Sequence, residues 1–314
     1  MNFHTFELSY KLSTDDVRIV YNELYNASGQ NYKPKDDCAV FNALQDYGII
    51  IFIKKYKQDE YNHHVLYYRI NPRRVLENHN YIGIFNSKNI DKLIKKFNIL
   101  IKTVSPFLPE FDSCNISRID YCSNVELNDQ AVIDSYINLL KRGYFPSKYT
   151  IKKYKNEKSK RNTLSKNGIT ITGNNGIEVT YYNKYRQLKE KNPKCRYIDN
   201  SKKIIRIEIR CFKKKVRHLT KKFKCASASS FLKESDIIGK YIFKHYANIF
   251  YGTGDFYKLT DIYAMIDKSS CKKKSKKLMK ELVKSSATHS SLDRAFDILN
   301  FNKSQIKAIL KKFN

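Results

Sequence analysis

GIEVTYYNKYRQLKEK (Gly176–Lys191) and, further along the chain, IIRIEIR (Ile204–Arg210) are the two stretches whose reading decides the fold. Read as a strand, the first alternates: Ile177, Val179 and Tyr181 fall on one face, Glu178, Thr180, Tyr182 and Lys184 on the other. The second alternates too, with Ile205, Ile207 and Ile209 inward and Arg206, Glu208 and Arg210 outward. One polar face would then hold a tyrosine hydroxyl, a lysine, a carboxylate and two arginines. That set suits phosphate chemistry, with a nucleophile, a metal ligand and cations for non-bridging oxygens. It equally describes the solvated face of an ordinary antiparallel pair.

Outward from these strands, an order of elements repeats. Phe3–Tyr10 alternates as a strand, and Ser13 to Asp16 offer caps for a helix reaching about Tyr25. Asn26–Asp37 reads as a polar loop. Gly48–Lys55 and His64–Asn71 are apolar runs of strand length joined by a hairpin, and Asn89–Val104 has the spacing of an amphipathic helix. The pattern then restarts with strand Asn115–Cys122, helix Ala131–Arg142, and strands Gly168–Thr172, Gly176–Lys184 and Lys203–Cys211. This predicts an α+β fold in which two ferredoxin-like or RRM-like β-α-β-β modules, about 1–106 and 107–225, form one antiparallel sheet. A basic helical region, 226–314, follows, and its last helices, 272–314, have the spacing of a helix-turn-helix.

Charge narrows the partner. Sixty Lys and Arg face 30 Asp and Glu, a net charge of +30. An AT-rich genome enriches lysine, but it enriches acids as well, so a polyanionic partner explains the excess better. The 24 tyrosines interleaved with the bases favour nucleic acid, on whose unpaired bases they stack. No apolar run approaches the roughly 18–20 residues of a membrane span, and Met1–Tyr10 does not read as a signal peptide. Seven scattered cysteines without a CxxC pair exclude a zinc finger and fit a reducing cytoplasm. The basic stretch Lys152–Lys166 is either a solvated hairpin tip or a DNA-contacting finger. Its Lys152, Lys153, Lys155, Lys158, Lys160 and Arg161, with Arg118 and with Lys272, Lys273, Lys274, Lys276 and Lys277, are the expected DNA contacts.

The chemistry centres on few residues. Parity puts Arg118 and Asp120 on one face of their strand. Asp120 and Glu208 together could hold Mg²⁺ or Mn²⁺ through oxygen ligands, or could belong to an ion network with Arg118 and Arg206. Tyrosine is a poor nucleophile unless a cation or metal favours phenolate. Tyr182 has Lys184 on its own strand face. Tyr181 reads as core, and Tyr185, past the strand end, is the reserve. His63 and His64 are adjacent, so they point to opposite faces and do not make a metal pair. The absence of a GxxxxGK[ST] loop argues against an ATPase.

The set SRIDYCSNVEL (117–127), GIEVTYYNKYRQLKEK (176–191) and RIEIR (206–210), with YYRINPRRVL (67–76), resembles the replication initiators of rolling-circle plasmids and filamentous phages. The resemblance spans roughly 60–220. It implies a metal-dependent DNA strand transferase that nicks an origin, single-stranded or extruded as a hairpin. The product is a 5′-phosphotyrosine and a free 3′-OH for a polymerase. On that pattern Tyr182 matches the nucleophile and Asp120 and Glu208 the acidic metal positions, while Lys184, Arg206 or Arg210 would stabilise the phosphate. Host helicase and polymerase, and a second copy of the chain, are the further partners to expect. The reading of another class is a non-catalytic nucleic-acid-binding protein with an RRM-like sheet.

Overall fold

The computed structural model describes residues 2–28, 33–35, 37–58, 61–77, 83–85, 87–142, 149–152, 154–155, 162–163, 167–250, 259–289 and 292–313. The first half runs β1 (Asn2–Leu12), α1 (Thr14–Ser28), β2 (Lys33–Lys35), β3 (Cys38–Phe41), β4 (Ile49–Gln58), β5 (Tyr61–Ile70), α2 (Pro72–Val75) and α3 (Ile90–Val104). The second runs β6 (Asn115–Glu126), α4 (Gln130–Arg142), β7 (Tyr149–Ile151), β8 (Tyr154–Lys155), β9 (Asn162–Thr163), β10 (Gly168–Gly173), β11 (Ile177–Asn183), α5 (Lys184–Lys191) and β12 (Ile204–Phe212). Among the described residues, seven helices follow: α6 (Lys213–Lys222), α7 (Ala228–Lys233), α8 (Ser235–Phe250), α9 (Leu259–Lys268), α10 (Lys273–His289), α11 (Leu292–Ile298) and α12 (Lys303–Phe313).

One ten-stranded sheet organises these elements, in the order β2-β3-β4-β5-β1-β6-β12-β11-β10-β7, with antiparallel pairing throughout. The opening strands of the two halves, β1 and β6, pair at the centre, and each half folds outward from its own. The expected α+β sheet is therefore present, but each half contributes five strands rather than a β-α-β-β unit. The short edge strand β2 lies within the stretch read as a polar loop, Asn26–Asp37, and β3 and the other edge strand, β7, fall where no element was expected; β8 and β9, inside the basic stretch Lys152–Lys166, pair as a separate two-stranded sheet. Such edge pieces are too short to show a period in the sequence. The ferredoxin-like arrangement is thus not what describes the whole sheet.

Parity decides what the sheet buries. Ile119 and Tyr121, Ile207 and Ile209, Val179 and Tyr181, and Leu66, Tyr68 and Ile70 face one side, where they join Leu93 and Phe97 of α3, Val216 and Leu219 of α6, and Ile238 and Ile242 of α8 in the main core. Burying each such side chain contributes about 1.5–3 kcal/mol. α4 covers the same side near Ile205 through Ile133 and Ile137. The other side of the central strands is left to charged and polar groups. Near the C-terminus, α10 packs on α9 and α11, and Leu282, Ala295 and Phe296 form a small core of their own. No helix among the described residues is long and apolar enough to cross a membrane.

Candidate active site on the polar sheet face

Pairing register puts Thr180 opposite Glu208 and Tyr182 opposite Arg206. Tyr182 and Glu208 are thus diagonal neighbours on adjacent strands, a separation that long side chains bridge. The Tyr182 hydroxyl donates to Glu208 Oε1 at 2.5 Å. Both are half-buried and line a groove of about 780 Å³ with His4, Asp120 and Lys184. Burial, then the adjacent Glu208 charge, holds the Tyr182 phenol well above its ordinary range. Burial alone would raise Glu208 as well. The charges of His4, Arg206 and Lys184 and the bond from Tyr182 outweigh it and hold the carboxyl below its usual range. The proton therefore resides on the tyrosine, and an ionised acceptor stands ready for it.

Lys184 is not on the strand. It is the first residue of α5, only 3% exposed, with its Nζ 5.9 Å from the Tyr182 ring centroid. Its ammonium donates to the Gln187 side chain at 3.0 Å. Burial first, then the Arg206 charge, lowers its pKa to about 7. Asn183 explains the turn between strand and helix. Its Oδ1 caps α5 by accepting from the Arg186 amide, while its Nδ2 donates to Gln130 and Asp134. A carboxylate could do only the first, which gives a fold reason for an amide beside the tyrosine.

The arginines divide by burial. Arg206 is 0% exposed and donates to Asn124, so it acts on the site through its field rather than by touching a ligand. Arg210 belongs to a chain of charges that crosses the sheet. In it Arg69 and Arg118 meet Glu7, Arg118 and Arg210 meet Asp120, and Arg210 and Lys152 meet Glu178. Asp120 is the keystone: Arg118 takes its two oxygens at 2.8 and 2.6 Å, and Arg210 approaches them at 3.2 and 3.3 Å. The ion network thus contains Arg118 and Asp120, but runs through Arg210 and Glu178 rather than Arg206 and Glu208. Among the described residues, no three His, Cys, Asp or Glu side chains are gathered to hold a metal. With Asp120 committed to two arginines, these side chains do not fit a resident divalent cation in this arrangement, and no step below is routed through one.

Other expected residues lie elsewhere. Tyr185 is on α5 near Lys189 and Lys202. His63 stacks on Tyr56. Lys272 is exposed, and Lys273, Lys274, Lys276 and Lys277 gather with Lys280 around Asp267. The Lys155 backbone lies in β8; Lys153, Lys158, Lys160 and Arg161 are outside the described residues. His4 was missed. Strict alternation would send it into the core with Phe6 and Leu8. A register shift between Phe3 and Thr5 lets Phe3 and Phe6 both face the core and places His4 at the groove. No strand period reveals such a bulge.

Gly168 pairs with Tyr182 across β10 and β11. A Cβ there would stand 2.7 Å from the Tyr182 Cβ and press on the Tyr181 carbonyl as well. Gly168→Ala is therefore expected to displace the hydroxyl from Glu208 and lower the yield of any Tyr182–DNA adduct by about 10-fold or more, read on a denaturing gel.

No protein-family model matches the chain, and no curated protein matches it. Among solved structures, it is similar to that of the rolling circle replication initiator protein from Geobacillus stearothermophilus. The match has 13% identity over 70% of this chain and 76% of that one, at a TM-score of 0.32. A likeness that loose carries no argument about function, which is left to the site.

Proposed function

We propose that the chain is a DNA strand transferase that opens rolling-circle replication by nicking and rejoining one strand through Tyr182. The observation that carries this reading is the Tyr182–Glu208 hydrogen bond at the floor of a groove in a chain of net charge +30. A phenol pressed against an ionised carboxylate has a built-in proton acceptor. As Tyr182 Oη bonds to phosphorus, its proton passes to Glu208; the P–O3′ bond breaks, and the departing 3′ oxygen takes up that proton or one from solvent to leave as a 3′-OH, with the phosphate on the tyrosine. Lys184, with its Nζ 5.9 Å from the Tyr182 ring centroid, meets the charge that builds on the non-bridging oxygens. His4, the bond from Tyr182 and the fully buried Arg206 together keep Glu208 ionised. The phosphotyrosine preserves the bond for rejoining, so no nucleotide hydrolysis is needed.

The test is incubation with supercoiled plasmid and with single-stranded oligonucleotides, in Mg²⁺ or Mn²⁺ and in chelator, followed by denaturing gels. A protein–DNA adduct with relaxed circles supports the reading; intact supercoils under every condition refute it. The comparison with chelator also decides the divalent requirement that the resemblance implies.

Lys184 makes a separate prediction. Below pH 7 its ammonium is already charged, and above about 7 the free amine dominates in the empty groove. A phosphate beside it favours the charged form and restores the proton. Oligonucleotide binding is then expected to take up a proton fraction that grows between pH 6 and pH 8, towards about one. Titration calorimetry in buffers of different ionisation enthalpy measures it, and Lys184→Gln should abolish it.

A second reading, nucleic-acid binding by the sheet without cleavage, is favoured by one observation. The charges from Glu7 to Lys152 satisfy one another, as a structural network would. It entails salt-sensitive binding and no adduct.

A further inference from the structure

We propose that the exposed face of α6, with the cleft beside it, is a second nucleic-acid site that grips the backbone of a duplex flanking the strand held at Tyr182. The inference rests on the nucleic-acid part of the reading above, not on its cleavage chemistry.

The stretch KKKVRHLTKKFK (213–224) contains no acid. Val216 and Leu219 anchor α6 to the main core, and Lys213, Arg217 and Lys221 face outward at four-residue spacing, about 6 Å of rise per step. Like charges at that spacing destabilise a helix, and a first turn of lysines opposes the helix dipole. A bound polyanion would relieve both costs. The stripe forms one wall of a cleft of about 530 Å³, and Lys11 of β1 and His63 of β5 reach it from the strands. Among the described residues, no Asp or Glu lines this cleft. The contrast with the other basic places is informative. In the Tyr182 groove cations share the lining with Asp120 and Glu208, and the α10 lysines surround Asp267.

The cleft also lacks what a single strand needs. Among the described residues lining the cleft, Phe231 is buried and the His63 ring has one face on Tyr56, so aromatic surface for an unpaired base is scarce. Charge and hydroxyl donors such as Thr220 remain, and these fit a phosphate backbone. The apolar residues of α6 pack on the main core, but Ser9, Lys11, His63 and Val65 of the cleft alternate onto the sheet face that carries Glu7 and Tyr182. A stem beside a strand held at Tyr182 can therefore reach the cleft along that face.

The test compares the full-length wild type with the triple variant Lys213→Glu, Arg217→Glu, Lys221→Glu and with the milder triple glutamine variant. Circular dichroism melting checks the fold of each. Fluorescence anisotropy on a blunt duplex of arbitrary sequence and on a short single strand is read over a salt series. The glutamine variant should bind duplex about 10-fold or more weakly, with a log–log salt slope smaller by about 2–3. Single-strand affinity and adduct yield on the short strand should stay within about twofold. Unchanged duplex affinity and slope in both variants would overturn the proposal, as would an equal loss on single strands. Polyglutamate binding through these residues, without duplex binding, would overturn it in favour of an acidic protein surface. Failure of the wild type to form an adduct would sink the nicking reading and leave this result standing.

Discussion

Tyr182→Phe is expected to remove the covalent protein–DNA adduct and to lower nicking by about 10³-fold or more, since no other group occupies the nucleophile's place. The ring stays, so packing on the groove wall is retained. What is lost is the hydroxyl and its 2.5 Å bond to Glu208. His4, Lys184 and Arg206 still surround that carboxylate, so the stability cost should be about 1–2 kcal/mol, a few degrees in melting temperature. Single-strand binding should change less than about threefold, because affinity comes mainly from cations the variant keeps. Adduct gels, anisotropy and melting curves together separate a lost nucleophile from a damaged fold. An equal loss of binding and adduct would mean that Tyr182 holds the groove rather than reacts.

Asp120→Ala should have the largest effect on stability. Asp120 is only 4% exposed and shares its carboxylate between Arg118 and Arg210, whose side chains are 14% and 29% exposed. Removing it leaves Arg118 with Glu7 alone and Arg210 with Glu178 alone, and takes the shared carboxylate out of a half-buried network. Breaking a buried ion pair in this way costs about 3–5 kcal/mol, which for a chain of this size lowers the melting temperature by roughly 5–10 °C. Asp120→Asn, which keeps one acceptor oxygen, should cost about half as much. A double-mutant cycle with Arg210→Ala should show strong coupling, because the two share one network. If Asp120→Asn instead leaves melting untouched and abolishes only divalent-dependent nicking, Asp120 serves a metal and the ion-pair account of it is wrong.

The strands were legible because parity is a strong signal. Ile207, Ile209, Val179 and Tyr181 face the core and Glu208 and Tyr182 the groove, as alternation requires. The long amphipathic α3 was legible for the same kind of reason, its apolar residues recurring at helical spacing. Illegibility had several physical sources. α5 and α6 are built from KYRQLKEK and KKKVRHLTKK, with few apolar residues to mark a period, so Lys184 was read onto a strand and α6 was not anticipated. A bulge moved His4 out of step with its strand. The burial of Arg206 depends on what lies over the sheet, which no local pattern records. The identity of Asp120's partners is a matter of register. A stretch shows which face a charge takes, but which arginine lies opposite is set by strand order, and that placed Arg210 beside it.

The most direct test of the account is to map the attachment site. The wild-type chain is incubated with a single-stranded oligonucleotide, the adduct is digested with nuclease and protease, and the residual phosphonucleotide is located by mass spectrometry among Tyr181, Tyr182 and Tyr185. The account predicts the modification on Tyr182 and its absence from Tyr182→Phe. Modification of Tyr185 or of a tyrosine outside the groove, or no covalent product from any DNA tested, would contradict it.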